Sequence, residues 1–191
     1  MEIEDLSDCM DTFEKSLQRL EDIENKLAVL LGGFNGTIPG LDSKGTLREW
    51  LIWLDCTEQL HEDGWEGADL VRDWQQSFSW HILYLKDDYP EKYTEWLVYM
   101  NLCHYDRKGR YMSFTVVENE YYQEILKLGK NAIPYLLKYI DCFGWAVFSL
   151  LNQITEKECI LLPIFPTEYS GIYDKVKGYY LAWGKNMRYI E

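Results

Sequence analysis

The chain has 191 residues and is 47% hydrophobic, which provides enough apolar material for a packed core and excludes a disordered chain. Its formal net charge is −13, and its longest apolar runs are far too short to span a bilayer, so we expect no membrane segment. The acidic amino terminus lacks the pattern of a signal peptide, and the five widely spaced cysteines include no CxxC pair, so we expect free thiols and a cytoplasmic protein.

The negative charge lies almost wholly in the first half of the chain. Residues 1–106 contain 23 Asp and Glu against 8 Lys and Arg, whereas residues 107–191 contain 9 against 11. Such a surface repels the phosphates of nucleic acids and attracts basic proteins. We therefore expect no direct nucleic-acid binding through this half. Solubility alone is the alternative explanation of the charge.

Residues 1–31 are predicted to form one long amphipathic helix. Apolar side chains occupy eight of the nine a and d heptad positions between residues 3 and 31, and Glu24 is the exception. The narrow apolar stripe of the first half suits a partner helix, whereas the broader stripe near the end suits packing on a globular body. Two alternatives stay open: packing within the monomer, or self-association through Ile3, Leu6, Met10, Phe13, Leu17 and Leu20.

Residues 32–45 carry five glycines and one proline, which predicts a loop or hinge. Residues 46–110 are acidic and rich in Trp, and we expect three helices there. The first begins with a capping box formed by Thr46 and Glu49. The second is expected over about 66–85, and its apolar face is predicted to consist of Leu70, Trp74, Phe78, Ile82 and Leu85. The third begins at Pro90 and ends near Tyr105, before a turn at 107–109.

Residues 111–191 are predicted to contain short helical hairpins. A helix over about 119–128 is expected to end at Gly129 in the left-handed conformation. Pro134 suits the first turn of the next helix, where its missing N–H is not needed. Two further helices are expected, over 145–154 and 172–185.

Three segments of this last region carry a pattern: YYQEILKLGKNAIPYLLKYI, GWAVFSLLNQIT and GYYLAWGKNMRYI. The residues that carry it are Gly129, Ala132, Ile133, Pro134, Leu136, Leu137, Trp145, Trp183, Gly184 and Lys185. Residues 115–191 thereby resemble small bacterial and phage proteins that contain HEAT-like helical hairpins and end in a W-x-x-W-G-K motif. Tyr180 departs from that motif, because it stands where the first Trp is expected. The resemblance implies a HEAT-like fold here and implies no catalytic residue.

No catalytic or cofactor motif is present in the sequence. Glu58 and His61 have the Glu-x-x-His spacing of half a di-iron site, but neither His81 nor His104 has a Glu three residues before it. No G-x-S-x-G segment occurs, and nothing in the spacing pairs a nucleophile with a base. We therefore expect no metal, no cofactor and no enzymatic activity.

These observations predict an all-α protein that binds and inhibits a basic, nucleic-acid-handling protein. An immunity protein, an antitoxin or a phage-encoded inhibitor of host defence acts in this way. An anionic helical surface would steer such docking, and Tyr or Trp anchors would hold it. The contacts are expected from the acidic side chains of the middle region: Asp55, Glu58, Glu62, Asp63, Glu66, Asp69, Asp73, Asp87 and Asp88.

Two other functions are compatible with the sequence. One is a homodimeric scaffold that assembles through the amino-terminal heptad helix. The other is an enzyme with an unfamiliar site, which a deep pocket holding His61, His81 or His104 beside carboxylates would favour.

Overall fold

The computed structural model describes residues 3–32, 37–38, 43–44, 46–56, 67–111, 119–155 and 171–191. Of positions 3–12, 37–38, 43–44, 56 and 107–111 it describes the backbone only. The prediction of an all-α protein is confirmed. In chain order the elements are α1 (Ile3–Leu30), β1 (Thr37–Ile38), β2 (Ser43–Lys44), α2 (Leu47–Cys56), α3 (Ala68–Asp88), α4 (Pro90–Tyr111), α5 (Glu120–Leu128), a 3₁₀ helix (Gly129–Ala132), α6 (Ile133–Lys138), α7 (Ile140–Ile154) and α8 (Ile172–Asn186).

The chain divides into two structural units, Met1–Tyr93 and Thr94–Glu191. The boundary falls inside α4, whereas the predicted regions 1–31, 32–45, 46–110 and 111–191 place no boundary there. Unit 1 contains α1 to α3 and the first turn of α4. Unit 2 contains the remainder of α4 and the short helices that follow it.

Unit 1 is organised by α1 and α3, which pack against each other in antiparallel directions. Ser16 in the middle of α1 contacts His81, and Glu24, two turns further along α1, contacts Trp74, which lies seven residues before His81 in α3. The second half of the heptad stripe forms the core of this pair. Its members Leu20 and Leu27 are fully buried, and Ile23, which lies beside the stripe, is 7% exposed.

The capping box at the start of α2 is confirmed. The backbone N–H of Thr46 donates to Oε2 of Glu49 over 2.7 Å, and the backbone N–H of Glu49 donates to Oγ1 of Thr46 over 3.2 Å. Two amide groups that have no partner within the helix are thereby satisfied. The preceding predicted loop is not wholly irregular, because Thr37 and Ile38 pair antiparallel with Lys44 and Ser43.

The third helix of the middle region is longer than the sequence suggested. We expected it to end near Tyr105 with a turn at 107–109, but α4 continues to Tyr111. The prediction gave too much weight to Gly109. A single glycine in a helix interior costs only about 1 kcal/mol relative to alanine, so favourable neighbours can carry the helix through it.

The interruption between α5 and α6 follows the prediction in one residue and departs from it in another. Pro134 lies in the first turn of α6, as expected. Gly129 has a positive φ of 55°, but its ψ of −134° lies outside the left-handed helical region. The chain leaves α5 through this glycine-only conformation and continues directly as a 3₁₀ turn.

A second glycine produces a kink in α7 at the place where α8 packs against it. Gly144 has φ 40° and ψ −106°, so α7 is kinked one residue before the predicted start at Trp145. The hydroxyl of Tyr173 donates to the carbonyl of Ile140 over 3.1 Å. A Cβ at position 144 would lie 2.9 Å from Cε2 of that tyrosine, so the kink and the close approach of α8 both require glycine here.

Buried aromatic residues form much of the core of unit 2. Tyr99, Tyr122, Phe148 and Tyr180 are almost completely buried, and the rings of Phe148 and Tyr180 stack with centroids 5.5 Å apart. The hydroxyl of Tyr180 donates to the carbonyl of Phe148 over 3.4 Å. This bond gives the tyrosine a role at the position where the resemblance leads one to expect Trp.

The carboxyl end of α8 carries a non-glycine residue in the left-handed conformation. Arg188 has φ 62°. The N–H of Tyr189 donates to the carbonyl of Gly184 over 2.9 Å, and the N–H of Arg188 donates to that of Lys185 over 3.0 Å. This pair of bonds is the Schellman pattern, in which glycine usually occupies the position of Arg188.

We therefore expect Arg188→Gly to raise the free energy of unfolding by about 0.5–1 kcal/mol, because glycine adopts this conformation without a Cβ clash. Urea unfolding of the two proteins measures the change. Arg188→Ala is the control, since it removes the same side chain but keeps the clash. Equal stabilities of the Gly and Ala variants would contradict the explanation.

Candidate functional site

One exposed face of α3 combines large apolar and acidic side chains. The spacing of its members alternates between four and three residues, which places them in one row along the helix. All are exposed, and we call this row the α3 outer face: Asp69, Asp73, Gln76, Trp80, Leu83 and Asp87. Its first and last members are eighteen positions apart in sequence, or about 27 Å along the helix.

Trp80 and Leu83 are the notable members of the α3 outer face, because 60% and 58% of their surfaces are exposed. The opposite side of α3 is buried, with Trp74, Phe78 and Leu85 in the core of unit 1. The exposed pair is thus surplus to the packing of the helix. Adjacent exposed large apolar residues rimmed by polar groups are typical of interaction surfaces.

Five of the nine acidic residues predicted to bind a partner are described by the structure, and these five do not form one cluster. Asp69, Asp73 and Asp87 belong to the α3 outer face, and Asp88 follows at the end of the same helix. Asp55 lies on α2, where its Oδ1 accepts a hydrogen bond from Nε2 of Gln75 over 2.7 Å. The other four lie outside the described residues: Glu58, Glu62, Asp63 and Glu66.

Nearby cations offset part of this acidic charge. Asp69 forms an ion pair with Arg72, one turn further along α3, and both side chains are largely exposed. Asp73 borders an open groove of about 420 Å³ that is also lined by Lys15, Arg19 and Lys26 of α1. These cations therefore offset part of the acidic charge in the amino-terminal half of the α3 outer face.

Glu24, the polar exception in the heptad stripe, holds three helices together. Its carboxylate accepts from Nε and Nη2 of Arg48 in α2, over 2.8 and 3.0 Å. It also accepts from Nε1 of Trp74 in α3, over 2.9 Å. Less than a fifth of either charged side chain is exposed, so these charge-assisted bonds operate largely away from water.

His81 lies between α1 and α3 with only 2% of its surface exposed. Its Nδ1 shares a hydrogen bond of 3.1 Å with Oγ of Ser16, and its ring contacts that of Phe13 with centroids 5.2 Å apart. Its pKa is lowered to about 4, chiefly by burial and also by the charge of Arg48, while the charge of Glu24 opposes both effects. His81 is therefore neutral at pH 7.

The two histidines that the structure describes belong to different units. His104 belongs to unit 2, where it is half-buried and stacks on Tyr121 with centroids 4.5 Å apart. His61 lies outside the described residues. The Ser16–His81 pair has the residue types of a nucleophile and its base. The carboxylate whose charge acts on His81 is Glu24, and it is already bound by Arg48 and Trp74.

A second groove, which we call the α1–α3 groove, runs on the Trp80 side of the helix pair. Its volume is about 440 Å³, and it is open to solvent. Two cations of α1 and two aromatic rings of α3 face it, with serine hydroxyls between them. These residues are Lys15, Ser16, Arg19, Ser77, Trp80 and Tyr84.

The structure describes the side chains of three of the six residues predicted for self-association. Leu20 is fully buried, whereas Phe13 and Leu17 are half-buried; the ring of Phe13 stacks on Tyr89 with centroids 4.8 Å apart. Leu20 therefore belongs to the monomer core and is not available to a second copy. The side chains of Ile3, Leu6 and Met10 lie outside the described part, and self-association through them stays a prediction.

In the described ranges, no group of three or more His, Cys, Asp and Glu is placed to hold a metal ion. None of the described helices combines the length and low polarity needed to cross a membrane.

Searches among protein-family models, curated proteins and solved structures find no match to this chain. The resemblance of residues 115–191 to HEAT-like bacterial and phage proteins therefore stays a prediction. The site has to be interpreted from its own chemistry.

Sequence reasoning missed Trp80 and Leu83 as surface residues. It assigned the apolar face of α3 to Leu70, Trp74, Phe78, Ile82 and Leu85, and this assignment left the two residues unexplained. A large apolar residue that falls off the assigned core face is a candidate for exposure. That comparison would have identified both positions.

Proposed function

We propose that unit 1 binds a basic protein through the α3 outer face. The observation that carries the proposal is the exposure of Trp80 and Leu83 between acidic residues of the same row. Trp is the residue type most enriched among the contacts that dominate binding energy. Burying what remains exposed of these two side chains would contribute about 2–4 kcal/mol.

The acidic members of the α3 outer face require a positively charged surface on the partner. Asp69, Asp73 and Asp87 lie on both sides of the apolar pair, so a complementary surface presents Lys or Arg around an apolar pocket. Charge of this kind chiefly accelerates association and rejects acidic partners, whereas the buried apolar contact slows dissociation.

A basic surface of this kind is what nucleic-acid-handling proteins use to contact phosphates. We propose that the chain inhibits such a protein by covering that surface, as an immunity protein, an antitoxin or a phage inhibitor of host defence does. Its action is then binding and requires no catalytic group or cofactor.

The test compares proteins captured from host extract by the wild type and by Trp80→Ala/Leu83→Ala. We expect the wild type to retain a basic protein and the double variant to bind it at least about 30-fold more weakly, as expected for loss of a dominant anchor. Trp145→Ala is the matched control, because Trp145 is 49% exposed in unit 2. Identical capture by all three proteins would contradict the proposal.

The charge contribution is tested with the same purified partner. Replacing Asp69, Asp73 and Asp87 with Lys should slow association at low salt at least about tenfold and flatten its salt dependence. The control replaces three exposed acids of unit 2 with Lys: Glu124, Asp174 and Glu191. Equal association rates for the two triple variants would assign the effect to net charge and not to the α3 outer face.

A further inference from the structure

The α1–α3 groove contains two kinds of binding group on opposite walls. Lys15 and Arg19 are one helical turn apart on α1, so both cations face the same opening. Trp80 and Tyr84 are one turn apart on α3 and present their rings to it. Arg19 forms no ion pair with any residue that the structure describes, and its exposed guanidinium can take a ligand.

The floor of the α1–α3 groove contains a hydroxyl without a hydrogen-bond partner. Ser77 has 6% of its surface exposed, and its Oγ makes no hydrogen bond within the described part of the chain. A buried hydroxyl in this condition destabilises the folded state, so its presence calls for an explanation other than packing. A ligand that accepts from or donates to this oxygen supplies one, provided that the serine side chain rotates towards the groove, because Oγ has almost no accessible surface in this structure.

We propose that the α1–α3 groove binds a small organic anion that carries an aromatic ring. The anionic group, a carboxylate or phosphate, is held by Lys15 and Arg19. The ring lies against Trp80 and Tyr84, and Ser77 hydrogen-bonds a polar atom between the two ends. The volume of about 440 Å³ is within the range of small-molecule sites.

The chemistry of each wall limits the ligand class. Guanidinium and ammonium groups recognise carboxylates and phosphates by charge-assisted hydrogen bonds. Indole and phenol rings provide a stacking surface for a planar ring, but they do not discriminate between one aromatic ring system and another. An anion without a ring, or a ring without an anion, therefore satisfies only one wall.

Isothermal titration calorimetry of the full-length protein tests the proposal with defined probes. Adenosine 5′-monophosphate and indole-3-acetate combine a ring with a phosphate or a carboxylate. Inorganic phosphate and adenosine are the corresponding halves. We expect at least one combined probe to bind at least tenfold more tightly than either half. Binding by neither combined probe, or equal binding by phosphate alone, would overturn the proposal.

Two substitutions locate the binding in the groove. Arg19→Ala should weaken binding of the combined probe at least tenfold, whereas Arg72→Ala, which removes an exposed arginine outside the groove, should not change it. Ser77→Ala should weaken binding at least threefold while the melting temperature stays equal or rises, since the variant loses an unsatisfied hydroxyl. Unchanged affinity in either groove variant would refute the assignment.

The groove and the proposed partner surface share Trp80, so the two proposals are tested through different residues. The calorimetry uses the isolated chain, so its failure leaves the α3 outer face untouched. Loss of partner capture in Trp80→Ala/Leu83→Ala likewise says nothing about Arg19 or Ser77.

Discussion

Replacing Glu24 with alanine is expected to lower the free energy of unfolding by about 3 kcal/mol, which is the order observed when one partner of a buried ion pair is removed. The substitution leaves the guanidinium of Arg48 and the indole N–H of Trp74 without their carboxylate, in a place where little water reaches them. Urea unfolding at pH 7.5 measures the loss.

Glu21→Ala is the matched control for Glu24→Ala. Glu21 lies on the same helix but is exposed, so we expect its replacement to change stability by less than about 0.5 kcal/mol. Glu24→Leu would complete the heptad pattern, yet it should still destabilise while Arg48 is present. Combining Glu24→Leu with Arg48→Met should recover most of the loss, because the unpaired charge is then gone. Equal losses in the Glu21 and Glu24 variants would contradict the role of this carboxylate.

Acidification is expected to destabilise unit 1 through His81. Its pKa is lowered from 6.5 to about 4 in the folded protein, chiefly by burial. Between these two values the unfolded chain binds a proton that the folded chain rejects, so stability falls as the pH drops. From pH 7.5 to pH 5 the contribution of this single group is a loss of about 2 kcal/mol.

The contribution of His81 is isolated by comparing how the free energy of unfolding changes with pH in the wild type and in His81→Gln. His81→Gln should be less stable than the wild type at pH 7.5, but its unfolding free energy should decrease by about 2 kcal/mol less on going to pH 5. Carboxylates contribute equally to both proteins and cancel. NMR titration of the His81 ring carbons provides a direct measurement. A midpoint near 6.5 in the folded protein, or parallel pH profiles, would contradict the prediction.

The pKa of His81 also depends on the charge of Glu24. The charge of Arg48 lowers the pKa of His81, and the charge of Glu24 opposes this effect. In the Glu24→Ala protein the cation is no longer offset, so the midpoint of His81 should fall below its wild-type value. An unchanged midpoint would show that Arg48 moves away from the histidine when its partner is lost.

The difference between the predicted and observed roles of α1 shows what a heptad pattern can and cannot decide. The pattern located the helix from Ile3 and showed which side is apolar. It could not show whether that side meets the same chain or another one, because an apolar stripe is complementary to any apolar surface. Burial of Leu20 and Leu27 in unit 1 settles this for the second half of the helix.

Local signals determined much of the fold. The capping box at Thr46 and Glu49, Pro134 in the first turn of α6, and the bounds of α5 and α8 depend on residues within one or two turns of each other, so the sequence alone predicted them. The all-α class followed from the same short-range patterns. The acidic character of the first half was likewise visible in the composition.

Only the tertiary structure decided which side chains share a site. Glu24, Arg48 and Trp74 are distant in sequence, and so are Ser16 and His81. They meet because α2 and α3 both pack against α1. The same packing leaves Trp80 and Leu83 outside. Periodicity gives the angle of a residue around its own helix, but exposure and pairing depend on the neighbouring helices, whose positions are set by long-range packing that no local pattern encodes.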